Sequence, residues 1–295
     1  GNCLESVLRF LGHDVISDNH IGDWGTQFGM IIFGYQNFVD ENAYSNEPVA
    51  ELARLYRLVN QLSDYHEACR KQPALEEQVE NVAEQIENLE HSEEDLKKKK
   101  KALKKLRSEQ GGLNETLSGM LLKRDAVDSD TELQKLATGH SDIARLARLE
   151  TAKLHSGDET NRALWDEFLP ACMKALDHVY EKLGVSFDKT LGESFYQSML
   201  ADVVADLTKK GLAICSDGAI CVFAEDNAAP FIVQKSDGAF TYATTDLATI
   251  RYRVEEFGAQ IMLYVVDTRQ SEHFNLLVDT ARRWGYEDVE IQHVN

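Results

Sequence analysis

Leu75, Val79, Val82, Ile86 and Leu89 alternate by four and three, the spacing of a helix that lays one apolar seam against another helix. Few features constrain a fold more, because such a seam must find a partner. The seam fails further on, where Glu93 and Lys100 stand in place of apolar residues. The charges also segregate: Glu76, Glu77, Glu80, Glu84, Glu87, Glu90, Glu93 and Glu94 precede Lys97 to Lys101, Lys104 and Lys105. An antiparallel helical hairpin is the simplest reading, with its turn near HSEED, Ser92 as a cap and the acidic arm facing the basic one. A single long protruding helix is the rival. The lysine run reads first as a solvated face paired with nearby glutamates, and second as an RNA-backbone contact. Gly111-Gly112 should close the hairpin, and the stretch from Ser129 to Asp158 continues as polar, surface-type helix.

The segments on either side differ in kind. Leu4, Val7, Leu8 and Leu11 recur at helical spacing, and Gly12 ends that helix. His13 to Ser17 then reads as a short strand entering the loop NHIGDWGTQFG. From about residue 185 the chain alternates again. A helix over 194–209 leads to AICVFAE and FIVQKSDGAFTYATTDLA, an alternating meander with turns at Ser216-Asp217-Gly218 and Ser236-Asp237-Gly238. A helix over 247–257, a buried strand over 261–266, an amphipathic helix to Trp284 and the strand VEIQHV follow. This predicts residues 1–60 and 185–295 as two parts of one α/β core, interrupted by a helical insertion over 61–184 whose charged hairpin spans about 72–110.

Composition narrows the function. A net charge of −19 argues against a general phosphate-tracking surface, and so against DNA, while leaving room for a local basic patch. No apolar run is long enough to span a bilayer, and no signal-peptide pattern opens the chain, so a soluble cytoplasmic protein without a membrane partner is expected. The five cysteines are scattered. Cys215 and Cys221 could meet across a hairpin, but buried reduced thiols are the expected state, and no spacing suggests a metal site.

Two stretches concentrate the chemistry. If Thr241 to Asp246 is a strand, Tyr242, Thr244 and Asp246 share one face. A carboxylate beside a tyrosine suits a guanidinium or ammonium ligand. Taken alone, the simpler reading has Asp246 capping the following helix. The second stretch is the polar cluster after strand 261–266, Asp267-Thr268-Arg269-Gln270-Ser271-Glu272-His273. A polar cluster at a strand's carboxyl end is where α/β sheets collect ligand groups. His273 by itself reads as a helix-face histidine.

FLGHDVISDNHIGDWGTQFG, LGVSFDKTLGESFY, VQKSDGAFTYATTDLATIRYR and YVVDTRQSEHF occur in this order. Together they closely resemble the catalytic core of the arginyl-tRNA synthetases, over nearly the whole chain except the charged insertion. The resemblance implies a Rossmann-like class I synthetase core interrupted by a coiled-coil-like insertion. It implies an ATP-dependent ligase of protein biosynthesis that joins L-arginine to its tRNA through an arginyl-adenylate. Mg2+ is implied only as ATP's companion. In that family NHxGDWGTQFG follows the HxGH signature, so His20-Ile21-Gly22-Asp23 is not a broken version of it. The HxGH stretch is expected upstream of Gly1, and the KMS-type loop and the anticodon-binding domain after Asn295. The chain itself should therefore hold no phosphate-handling catalytic residue and should be inactive alone, with an exposed sheet edge where a first strand is expected. By motif position the resemblance assigns Tyr242, Asp246 and Gln270 to the arginine side chain, with Asp246 as the guanidinium's counter-ion. Glu193 falls near the arginine and the terminal adenosine. Asn19, His20, Gly22, Asp23 and Gln27 line the floor of the site, where glycine permits close backbone approach. The alternatives are a non-catalytic arginine-binding or regulatory module, or a helical scaffold derived from such a core.

Overall fold

The computed structural model describes residues 1–92, 96–224 and 230–294. Helix α1 (Asn2–Phe10) opens the chain, and α2 (Thr26–Phe38), α3 (Glu41–Asn46), α4 (Pro48–His91) and α5 (Leu96–Asp128) follow. Next come α6 (Thr131–Gly139), α7 (Ile143–Ser156), α8 (Glu159–Leu183), α9 (Glu193–Tyr196) and α10 (Leu200–Lys209). Strands β1 (Ala213–Ser216), β2 (Ala219–Val222) and β3 (Phe231–Gln234) lead to α11 (Tyr242–Phe257), β4 (Ile261–Val265), α12 (Ser271–Trp284) and β5 (Glu290–Val294). The chain divides into two compact units, one of Gly1–Trp24 with Tyr180–Asn295, the other of Gly25–Val179.

The second unit is helical. Its core gathers Phe33, Val59, Leu62, Val127, Ala137, Ile143 and Ala147. The two long helices run antiparallel: Gln72 takes a bond from Arg124 at 2.5 Å, while farther along Glu90 takes one from Arg107 at 2.7 Å. Leu75 and Val82 of the seam are buried. Ser92 ends α4, donating to the Leu89 carbonyl at 2.9 Å. The rest of the expected turn, Glu93 to Asp95, lies outside the described residues. Two expectations are corrected here. Gly111-Gly112 does not close the hairpin but lies inside α5, because packing against α4 outweighs a cost of about 1 kcal/mol per glycine. Helix α7 is not a surface-type helix: Ile143, Ala147, Thr151 and Leu154 are buried, and α2 crosses it at Gly29, where a Cβ would overlap the Thr151 hydroxyl.

The first unit carries the sheets. Strands β1, β2 and β3 pair antiparallel in that order, Ala213 facing Val222 and Val222 facing Phe231. Asp217 and Gly218, with φ of 49° and 80°, form the tight turn whose twist suits a two-residue hairpin. Cys215 and Cys221 are both free; Cys221 is buried as expected, but Cys215 is exposed. Strands β4 and β5 pair parallel, Met262 facing Ile291, with α12 as the crossover. Leu207, Val233, Leu247, Ile250, Leu277 and Trp284 lie at the centre of this unit's core.

Two expected strands are absent among the described residues. His13 to Ser17 makes no ladder, because Asp188 takes its place: the Asp188 carboxylate accepts the Ser17 amide at 2.7 Å, and the Ser17 carbonyl accepts the amides of Asp188 and Lys189. Thr241 to Asp246 opens helix α11, with Thr241 at its N-cap, so Asp246 is neither a strand residue nor the cap. Ala243, Leu247 and Ile250, spaced four and three apart, are all buried, and only a helix puts them on one face. Thr244 also bonds back to the Val233 carbonyl rather than sharing a face with Asp246. Helix α1 buries none of its residues, and Gly12 follows it at φ 89°.

Candidate active site

The helical start of α11 preserves one relationship that a strand would also have made. Tyr242 and Asp246 are four residues apart, so they stand one above the other on the same helix face. Between them packs His273 from α12. Its ring centroid lies 4.7 Å from that of Tyr242, and its Nε2 is 2.7 Å from Asp246 Oδ2. Asp246 is 18% exposed and Tyr242 is 66% exposed, so the carboxylate is reachable and the phenol is open. Gln270 is exposed in the turn just before α12, its amide bonded to the Asp267 carbonyl at 3.0 Å.

The loop after Ile16 supplies a second wall. Asn19 accepts a bond from the Tyr180 hydroxyl at 3.3 Å. Asp23 is buried and accepts both the Ser194 amide at 2.9 Å and its hydroxyl at 2.6 Å. Gly192 must be glycine, since a Cβ there would overlap the Asp23 carboxylate. Gly22 is under no such demand within the chain: a Cβ would meet only Glu193 Oε1, at 3.9 Å. Gln27 is exposed in the first turn of α2 and belongs to the helical unit.

The electrostatics follow from crowding acids together. Burial pushes the Glu193 carboxyl up to about 7, and the Asp23 and Asp246 charges push in the same direction. His20 keeps one side open to solvent and sets its ring at a tilt of 42° to that of Tyr196, with centroids 5.7 Å apart. Burial of the rest of its ring lowers its pKa, against the pull of Asp246, Asp18 and Asp23. The result is a patch short of cations, with Asp246 the carboxylate that best combines access with a neighbouring aromatic face. Such a patch favours a cationic ligand with several N–H donors.

Sequence reasoning did not find the brace behind this wall. Arg253 Nη2 lies 2.7 Å from Asp18 Oδ2, with the side chains 14% and 7% exposed. The same guanidinium sits over the Tyr264 ring at 5.2 Å, and Asp18 also accepts the Leu191 amide at 3.2 Å. The loop, α11, β4 and the segment before α9 are thereby tied at one point. An open hollow of about 430 Å3 in the helical unit, lined by Glu51, Arg54 and Arg57 among others, holds none of the residues assigned above. Within it Arg54 is already paired with Glu51 at 2.6 Å.

The chain matches the family described as tRNA synthetases class I (R), catalytic domain, over residues 1–129 and 123–295. It is 48% identical to an arginine–tRNA ligase of Rhodopirellula baltica, over 100% of this chain and 46% of that protein. Another arginine–tRNA ligase, from Fusobacterium nucleatum, is 32% identical over 100% of this chain and 39% of its own length. The chain thus spans less than half the length of these relatives. Its fold is similar to that of arginyl-tRNA synthetase from Plasmodium falciparum, with a TM-score of 0.59 at 22% identity, covering 100% of this chain and 38% of that one. The chain belongs to the class I (R) tRNA synthetases, as sequence of their catalytic domain.

Proposed function

We propose that the protein containing this chain joins L-arginine to its tRNA at the expense of ATP, in the cytoplasm, and that this chain supplies the arginine-recognising part. The arginine carboxylate attacks the α-phosphorus of ATP and pyrophosphate leaves. The tRNA's terminal hydroxyl then attacks the acyl carbon of the adenylate and AMP leaves. The observation that carries the reading is the pairing of Tyr242 with Asp246 on one face of α11, the carboxylate reachable and the phenol open. A guanidinium offers parallel N–H donors to a carboxylate and a flat face to an aromatic ring, which an ammonium cannot do. In this reading Asp246 is the counter-ion, Tyr242 the stacking and hydroxyl partner, and Gln270 a further polar contact. Glu193 stands near the arginine and the terminal adenosine, and Asn19, His20, Gly22 and Asp23 serve as the floor; Gln27, assigned with them by motif, lies in the helical unit.

The fold reading belongs to the same proposal. The parallel β4 and β5 with α12 between them support a Rossmann-like core; its expected first part, 1–60, is longer than the stretch Gly1–Trp24 that shares a compact unit with Tyr180–Asn295, since Phe33 and Val59 pack in the helical unit. The antiparallel α4 and α5 with their buried seam support a coiled-coil-like insertion within 61–184. Among the described residues no group of three or more His, Cys, Asp or Glu could hold a metal ion. Mg2+ would arrive with ATP. Catalysis then rests on positioning and on stabilising phosphate charge. The test is ATP–pyrophosphate exchange by the natural full-length protein. Exchange that depends on arginine and not on lysine is expected; exchange driven equally by another amino acid would overturn the assignment.

A further inference from the structure

Between Leu96 and Ser108 the chain carries seven lysines and one arginine and no acidic residue, within a protein whose net charge is −19. Helix α5 sorts these cations onto different sides. Lys99 turns toward the hairpin, its Nζ donating to the carbonyls of Glu90 at 2.7 Å and Ser92 at 2.8 Å. Leu103 and Leu106 are partly buried on the same side, and Arg107 reaches Glu90 at 2.7 Å. At about 100° per residue, Lys97, Lys101, Lys104 and Lys105 fall on the opposite face, with Lys98 and Lys100 at its edges. All six are exposed. Among the described residues, Lys100, Lys101, Lys104 and Lys105 make no ion pair.

Folding does not call for this arrangement. Lys97 with Lys101, Lys100 with Lys104, and Lys101 with Lys105 are like charges at i,i+4, which weaken a helix. The inward side, where the seam and Lys99 lie, already provides the hairpin's packing. The outward face carries no apolar residue from 97 to 105, so it lacks what a helix needs to enter a lipid interface. Closely spaced ammonium groups along one helix face, with Lys100, Lys101, Lys104 and Lys105 in no ion pair among the described residues, match a polymer of phosphates.

We propose that this outer face of α5 is a docking surface for the phosphate backbone of RNA, reading charge and not sequence. The choice of RNA as the polyanion rests on the ligase reading of the preceding section; the patch itself rests on the hairpin geometry. The experiment titrates residues 1–295 and the variant Lys100→Gln, Lys101→Gln, Lys104→Gln, Lys105→Gln against two labelled tRNA transcripts, one of arginine identity and one not, over a range of salt. Glutamine keeps the helix propensity, so the melt should hold. Because each neutralised phosphate contributes about 0.7 to 0.9 to the slope of log affinity against log salt, the variant, short of four ammonium groups, should lose about 3 to 4 from that slope and at least about tenfold in affinity at low salt, equally for both transcripts. Unchanged slope and affinity would overturn the proposal. So would a loss confined to the arginine transcript, or binding to phosphatidylserine vesicles in place of RNA. Arginine calorimetry on the same two proteins keeps the readings apart: heat with arginine that the variant retains leaves the ligase reading intact whatever the RNA result, and no heat from either protein counts against that reading while leaving the lysine result to stand alone.

Discussion

His273 Nε2 lies 2.7 Å from Asp246 Oδ2, joining α12 to the first turn of α11 at the centre of the candidate site. A carboxylate only accepts, so Nε2 carries the proton and donates. The bond fixes one carboxylate oxygen and leaves the other to take a ligand. His273→Phe removes the donor from a mostly buried carboxylate and should cost about 1 to 3 kcal/mol in urea unfolding. His273→Gln keeps a donor and should lose less. Equal unfolding curves for both variants and the parent would return His273 to the helix face.

Glu193 makes the fold sensitive to pH. Its carboxyl is pushed from 4.5 up to about 7, first by burial and then by the Asp23 and Asp246 charges. Between those two values the unfolded chain has released the proton that the folded chain still holds. Stability contributed by this group therefore falls as pH rises from about 4.5 to about 7, and is level above. Thermal melts of Glu193→Gln against the parent should show a flatter profile in that window and a relative gain above it. A constant difference at every pH would mean that Glu193 titrates as an ordinary carboxyl.

The same glycine-to-alanine change should act in opposite directions at two places. At Gly192 the new Cβ overlaps the Asp23 carboxylate and displaces it from Ser194, at a cost of about 1 to 3 kcal/mol. At Gly111 and Gly112, inside α5, it meets nothing within 4 Å and should stabilise by about 0.5 to 1 kcal/mol each. Equilibrium unfolding of the three variants checks both signs. A destabilised Gly111→Ala would mean that α5 does not run through that point.

What could be read in advance follows from how local each signal is. Strand β4 is a continuous apolar run and α12 an amphipathic one, so each shows in its own few residues. The seam of α4 showed for the same reason. Thr241 to Asp246 misled because its threonines favour strands, while the helix is decided by where Ala243, Leu247 and Ile250 are buried. Asp246 and Tyr242 stayed on one face by coincidence of two periodicities, two for a strand and four for a helix turn. Asp18 and Arg253 are 235 residues apart, and no local pattern announces their contact. Gly192 looked like any loop glycine until Asp23 was placed beneath it.

The central claim is that Asp246 recognises a guanidinium. Calorimetry with free arginine and free lysine, on the parent and on Asp246→Asn, tests it most directly. The amide keeps the size of the carboxylate and can still accept from His273, so the melt should barely move. The charge is gone, however, and the amide presents donors to a ligand that has only donors. Breaking one side of a buried charged pair costs about 3 to 5 kcal/mol, which is roughly a hundredfold or more in affinity. The parent should bind arginine in preference to lysine, and Asp246→Asn should lose both that preference and the affinity. Equal affinity for the two amino acids, or arginine binding unchanged in Asp246→Asn, would contradict it.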